Sequence, residues 1–334
     1  MEKIDTNTTS PVDDRGMARL LGSDTWTRCA PLLTDDGAQC YELSHILSDT
    51  MPSSPFAQEL KVAASPTTGI PGTRHVGNKE MLTGDFTQQG THLDALGHFG
   101  VLPEMWAGLE PLPLANATYH GGLTQAEVKP APEKRLVRLG VENVPPIFTT
   151  AILLDAEREF GAGAPLSAGF SIDAEHIETM LRAQGLAQRG ILAGDVVYIH
   201  TGWGKFWADP VAENSDYYRK GPGLGFSGAE YLASKNVVLV GLDNPFTDPV
   251  NGGQLSGLAS PPADMPAGLP FGTHHFNLVK AGVLQMQNMR LLELAQDRVW
   301  ISCTVILPLR LEGCSGSPVR PISIGKPSRQ LADD

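Results

Sequence analysis

No stretch of the 334 residues approaches the ~18 uninterrupted apolar residues that a membrane-spanning helix needs, so none is expected. Cysteine is scarce. Cys29, Cys40, Cys303 and Cys314 form neither a C-x-x-C pair nor a dense framework, and they are expected as reduced thiols of a cytoplasmic protein. The opening residues MEKIDTNTTSPVDDRG lack the basic start and apolar run of a secretory signal, so export is not expected. Positive charge is also in deficit: 25 Lys and Arg against 37 Asp and Glu leave a formal net charge of −12. That balance argues against a nucleic-acid partner, whose phosphates require a basic surface. It leaves room for an anionic small molecule, because the charge around a metal can oppose the global sign.

Repeats, low-complexity segments and an interdomain linker are absent as well. The expectation is one domain over residues 41–334, preceded by a polar extension, residues 1–40, that is partly disordered or serves as an arm. With 36 Gly and 26 Pro the chain is punctuated like a strand-and-loop protein rather than a helical bundle. Short apolar runs at Ala151–Leu154, Val196–His200, Val237–Leu242 and Val299–Leu307 read as buried strands. Asp173 can cap a helix that carries Ile177, Met180 and Leu181 on one face and ends near Gly185. Ser227 with Glu230 has capping-box spacing for a second helix. This alternation is that of a mixed α/β domain. Two long segments stand out. Residues 244–273 are rich in Gly and Pro, as lids and binding loops are. Residues 202–226 are rich in aromatics, which either face a ring-shaped substrate or seal the core.

The most informative stretch is Thr87-Gln88-Gln89-Gly90-Thr91-His92-Leu93-Asp94-Ala95-Leu96-Gly97-His98. On an extended strand His92 and Asp94, two residues apart, point to one face. An imidazole, a carboxylate and an amide so close together make half of a divalent-metal site. By spacing alone they serve equally as ordinary hydrogen-bonding groups on a loop.

The stretch resembles the signature H-x-G-T-H-x-D-x-P-x-H of the cyclase-like metal-dependent hydrolases, the superfamily of kynurenine formamidase and isatin hydrolase. Gly90, Thr91, His92, Asp94 and His98 match in place, whereas Gln88 stands at the first His and Leu96 at the Pro. Four further segments are similar to the family in the same order: Tyr41-Glu42-Leu43-Ser44-His45 with Met51-Pro52, Gly194-Asp195-Val196-Val197 to Thr201-Gly202-Trp203, Gly241-Leu242-Asp243, and Pro308-Leu309-Arg310 with Gly316-Ser317-Pro318-Val319-Arg320. The family's second metal-side segment, a His and then a Glu twelve residues on, corresponds to His275 and Gln287.

The resemblance implies a swivelling β/β/α fold with a mixed β-barrel-like core. It also implies a homodimer or homotetramer and a metal site on His92, Asp94, Gln88 and Gln287. In two-zinc relatives an acid replaces Gln287, so this chain is expected to hold one divalent ion, Mn²⁺ or Zn²⁺. His98 is then the expected general base, and His275 an additional ligand or an oxyanion donor. His45, His200 and His274 carry no assigned role. The expected activity is opening of a small cyclic amide or lactone, or cleavage of a related amide or ester, by metal-activated water. The alternatives are a polyketide-type cyclase or dehydratase, and a non-catalytic binding member.

Overall fold

A computed structural model of the chain describes residues 12–328; the first part of the 1–40 extension, residues 1–11, lies outside them. The protein is built on one mixed sheet of nine strands: β1 (Gln39–Glu42), β2 (His92–Asp94), β3 (Ile147–Asp155), β4 (Val196–His200), β5 (Leu239–Leu242), β6 (Leu284–Gln287), β7 (Ile301–Ile306), β8 (Gly316–Pro318) and β9 (Ile322–Gly325). Their spatial order is β1-β9-β7-β3-β4-β5-β6-β2-β8. Strands β3 to β6 run parallel, and the pairs outside them are antiparallel. All five residues of β4 are buried, as expected of a parallel strand covered on both faces, which is why it reads as one apolar run.

Helix α1 (Ser23–Leu33) lies against β3 and β7 and buries Cys29 completely, so this part of the extension is laid on the protein's own sheet. Helix α2 (Ala174–Ala183) begins as its sequence suggests, with Asp173 accepting from the His176 amide at 2.9 Å and Ile177, Met180 and Leu181 buried. Helix α3 (Phe226–Ser234) departs from expectation. Gly225, not Ser227, precedes the first turn, and no side chain caps it. A Cβ at position 225 would meet Ser171 Oγ at 2.2 Å, so close packing selects the glycine here over a capping side chain.

Asp195, of the Gly194-Asp195 motif, ties the parallel strands together from inside. It is fully buried and accepts from Thr150 Oγ1 at 2.5 Å, Arg189 Nη1 at 2.5 Å and the Leu192 amide at 2.8 Å, with Arg28 at 3.5 Å. Removing Asp195 leaves its buried hydrogen-bond donors unpaired and deprives the partly exposed Arg189 and Arg28 of their counter-charge, at a cost of about 1–3 kcal/mol. Asp195→Ala is therefore expected to lower stability by about that amount in urea unfolding. A loss within experimental error of zero would show that Asp195 does not have this role.

Candidate metal centre

The site lies where the sheet changes from parallel to antiparallel. Across β6 and β2, Gln285 is opposite Asp94 and Gln287 is opposite His92, and opposed residues of an antiparallel pair share a face. His92, Asp94 and Gln287 thus project together, while Leu93 and Met286 point to the other face and are wholly buried in the core. After β2 a short 3₁₀ turn (Leu96–His98) swings the chain around and returns His98 to the same carboxylate.

Asp94 is the centre. His92 Nε2 lies 3.7 Å and His98 Nε2 3.9 Å from its Oδ1, and His274 Nε2 lies 3.6 Å from its Oδ2. Gln287 Nε2 donates to Oδ2 at 2.7 Å and to Thr247 Oγ1 at 3.0 Å. Two buried acceptors on these residues have no hydrogen-bond partner among the described residues, Asp94 Oδ1 and Gln287 Oε1. Asp94, His98 and His274 have ligand atoms all within 4.8 Å of one another, a group able to hold a metal ion.

Each ring is held from behind, as metal-ligating histidines are. His92 Nδ1 donates to the Gly90 carbonyl at 2.9 Å. The Asp248 carboxylate grips His274 Nδ1 and also accepts from the Thr273 amide at 2.6 Å. Gln88 meets His98 Nδ1 at 2.7 Å and Ser315 Oγ at 2.9 Å. An amide can present either end; when its oxygen faces Nδ1–H, the His98 Nε2 lone pair is free toward Asp94.

The sequence-derived residues are therefore only partly reunited. His92, Asp94, His98, Gln88 and Gln287 all line one cavity of about 310 Å³. His275 does not line it, whereas its neighbour His274 does. Consecutive helical residues point roughly 100° apart, so only one of the His274-His275 pair can face Asp94. His275 is buried elsewhere, at the start of a π-helical segment (His275–Ala281), with Nδ1 unpaired among the described residues. Asp248 was missed because it sits in the 244–273 loop, far from His274 in sequence.

The charges are strongly coupled. Burial favours the neutral acid at Asp94, but the His98 charge and the His274 hydrogen bond outweigh it and hold Asp94 well below the usual carboxylate range. Burial lowers the His98 pKa, with Asp94 opposing in part. Burial also disfavours the charged His274, yet the Asp248 carboxylate prevails and pushes it up to about 9.

Both long loops take part. Phe246 and Phe271 of the 244–273 segment and Tyr218 of the 202–226 segment line the cavity, while Trp203 and Tyr217 pack with Phe246 in a separate apolar cluster. Of the aromatics in 202–226, Tyr218 thus lines the cavity, whereas Trp203 and Tyr217 seal the core beside it. His45 and His200 lie at a different cavity. Burial pushes His45, stacked on Trp207 at 4.3 Å, down to about 4. Burial disfavours the charged form of His200, but its 2.9 Å bond to Asp155 and the charges of Asp243, Asp155 and Glu157 together outweigh burial and raise its pKa.

This sheet and metal-binding group define a class. Residues 41–249, more than half of the chain, match the family described as "Putative cyclase", and the chain belongs to that family. Solved structures of the same fold include one described as a novel cyclase, 21% identical over 93% of this chain and 96% of that one, with a TM-score of 0.72. An isatin hydrolase bound to the product analogue thioisatinate is 20% identical over 89% and 95%, with a TM-score of 0.57. Isatin hydrolase A from Labrenzia aggregata bound to benzyl benzoate is 16% identical over 87% and 94%, with a TM-score of 0.56. No curated protein matches the chain by sequence. Among the described residues no helix is long and apolar enough to cross a membrane.

A cation bound by His274 must displace the proton that Asp248 keeps there. Because that pKa is raised to about 9, apparent metal affinity is expected to climb between pH 6 and pH 8, by at most about tenfold per unit for one proton released. Asp248→Asn should flatten this dependence and weaken metal binding about 10–100-fold. Chelator competition across pH reads both effects, and an unchanged profile in the variant would remove Asp248 from the site.

Proposed function

We propose that the chain is a metal-dependent hydrolase that opens a small cyclic amide or lactone, or cleaves a related amide or ester. The observation that carries this reading is Asp94: a fully buried carboxylate with one oxygen lacking a hydrogen-bond partner among the described residues, surrounded by imidazoles in a cavity of about 310 Å³. Asp94, His98 and His274 would hold one divalent ion, with Gln287 Oε1 as a further oxygen donor. Imidazole, carboxylate and amide oxygen suit Zn²⁺ and Mn²⁺ alike. Only Asp94 among these donors is anionic, so a second dication would lack compensation. Asp85, the other acid on the cavity wall, is engaged by the Thr87 amide at 3.3 Å and hydroxyl at 3.1 Å. A divalent ion bound there supplies Lewis acidity toward a carbonyl oxygen and makes a water more acidic.

The protein's own groups do the rest. His92 stands outside the three-residue cluster, and its Nδ1–H is committed to Gly90, so Nε2 has a lone pair to accept the proton of an attacking water. Tyr218 accepts from Asn288 Nδ2 at 3.1 Å and keeps its own proton, because burial raises its pKa. Its hydroxyl can donate to the oxygen on which negative charge develops, one of the two roles the sequence left open for His275. Phe56, Phe99, Phe246 and Phe271 give the cavity an apolar wall suited to a small ring. The swivelling β/β/α assignment and a cytoplasmic setting belong to the same reading, the former supported by the mixed nine-stranded sheet with helices against it.

Elemental analysis should find about one divalent ion per chain, lost in Asp94→Ala, His98→Ala and His274→Ala. His92→Ala should keep the ion but lose about 10²–10⁴-fold in kcat on a lactam, lactone or formamide found by screening. Tyr218→Phe should lose about 10²–10³-fold. A metal-free protein after supplementation would favour a binding member, and a His92→Ala variant that empties the site would make His92 a ligand.

A further inference from the structure

The carboxyl ends of the parallel strands β3, β4 and β5 carry a second cluster of ionisable side chains. Asp155 ends β3 and stands in register with His200, which ends β4. Asp243 follows β5, whose Leu242 stands beside Ile199. Open α/β sheets bind ligands outside the carboxyl ends of their strands. Glu157, from the short helix Ala156–Phe160 after β3, joins the cluster. A cavity of about 470 Å³ opens here, with Glu157, His200 and Asp243 on its wall, and it shares no lining residue with the cavity at Asp94.

His200 is 3% exposed, and its two ring nitrogens have different surroundings. Nδ1 is held by Asp155 at 2.9 Å, the carboxylate–histidine arrangement that stands behind metal-ligating rings and that Asp248 repeats at His274. Nε2 has no hydrogen bond among the described residues; Glu157 Oε2 lies 3.8 Å and Asp243 Oδ2 3.9 Å from it. Those separations are too long for hydrogen bonds. They suit donors that share one ion, because two atoms each about 2.1 Å from a metal stand about 3–4 Å apart. The Glu157 carboxylate likewise has no hydrogen bond among the described residues. Glycine makes room for it: a Cβ at Gly202, whose φ is +77°, would meet Glu157 Oε1 at 2.4 Å. Three carboxylates thus surround one imidazole, and Asp155 and Asp243 are buried. The cavity's Arg290 is paired with Glu293, and its Lys205 is exposed over the Phe206 ring. Buried charges are paired or coordinate a metal, and a dication is what this excess of acid lacks.

We propose that Glu157, His200 and Asp243 form a site for a further divalent cation, separate from the centre at Asp94. Two carboxylate oxygens and one imidazole suit Mn²⁺ or Zn²⁺. The ion would link Glu157, on the helix after β3, to Asp243, which also accepts from the Thr201 amide at 2.8 Å and the Gly204 amide at 3.2 Å. It would thereby fasten the carboxyl ends of three parallel strands. These donors do not converge as closely as Asp94, His98 and His274, whose ligand atoms all lie within 4.8 Å of one another. The ion is therefore held more weakly and leaves on desalting, so the desalted protein still carries about one ion per chain. The inference uses none of the residues assigned to the activity proposed above and does not depend on it.

The test is titration of the full chain with Mn²⁺, following the fall of the free-ion signal in electron paramagnetic resonance. In an Asp94→Ala background, which silences the first centre, one Mn²⁺ should still bind per chain and show spin-echo modulation from an imidazole nitrogen. His200→Gln should abolish that modulation. Glu157→Gln should weaken binding about tenfold or more, and Asp155→Asn, which acts through His200, about 10–100-fold. Glu157 makes no hydrogen bond through its carboxylate among the described residues, so circular dichroism of Glu157→Gln should match wild type. The same losses should appear in chains with Asp94 intact and preloaded with one equivalent of Zn²⁺, which keeps the result independent of how Asp94→Ala folds. Absence of Mn²⁺ binding at millimolar concentration in both backgrounds would overturn the proposal. So would binding indifferent to both His200→Gln and Glu157→Gln, which would place the ion on other acidic groups.

Discussion

A carboxylate with no exposed surface must be compensated, and Asp94 is compensated by neighbours drawn from separate parts of the chain. His92 comes from its own strand, His98 from the turn that follows, Gln287 from the adjacent strand and His274 from the helical segment before it. Each contact constrains an element. The change from parallel to antiparallel pairing between β5-β6 and β6-β2 puts Gln287 opposite His92, and the left-handed backbone of Gly90 (φ +62°) lets its carbonyl accept from the ring two residues on.

The second layer of the site explains features that have no role at its centre. Asn288, also left-handed at φ +56°, donates to the Gly90 carbonyl at 2.6 Å and to the Tyr218 hydroxyl, and its oxygen accepts from the Tyr217 hydroxyl at 2.9 Å. Tyr217 in turn reaches the Asp243 carbonyl at 3.2 Å, and Asp243 accepts from the Thr201 amide at 2.8 Å. The motifs Thr201-Gly202-Trp203 and Gly241-Leu242-Asp243 thus support the loop that presents Tyr218 to the cavity, without themselves touching it. Rigid supports of this kind hold the functional groups in place before a ligand arrives.

Much of this was legible in the residues. The period-2 spacing of His92 and Asp94 fixed their common face, and the apolar runs marked β3, β4, β5 and β7 to within a few residues at each end. Three things were not legible, for physical reasons. Whether His274 or His275 faces the site depends on the rotation of a helical segment that is set by packing. The glutamines carry the right atoms for metal ligands, but long-range pairing decides that Gln88 contacts His98 Nδ1 and that the Gln287 nitrogen bonds Asp94. The antiparallel ribbon at 61–84, in which Lys61–Ala64 pairs with Glu80–Thr83, has weak alternation and many turn residues, so its strands are evident only from their pairing.

Gln287 shows how one atom can set the charge of the site. Its NH₂ group donates to Asp94 Oδ2 and Thr247 Oγ1, and its oxygen is buried and unpaired among the described residues. A carboxylate in the same place would offer no donor to Asp94. Two buried anions would then stand in contact, and like charges that close cannot both remain ionised without another cation or a shared proton. With the amide, the repulsion becomes a hydrogen bond and the buried negative charge at the centre stays at one. Under the metal-site reading proposed above, that charge is what a single divalent ion, aided by neutral imidazoles, would balance. Because the amide is held by Thr247, in the loop that also bears Phe246 and Asp248, the residue that limits the charge is anchored to the segment that shapes the cavity wall.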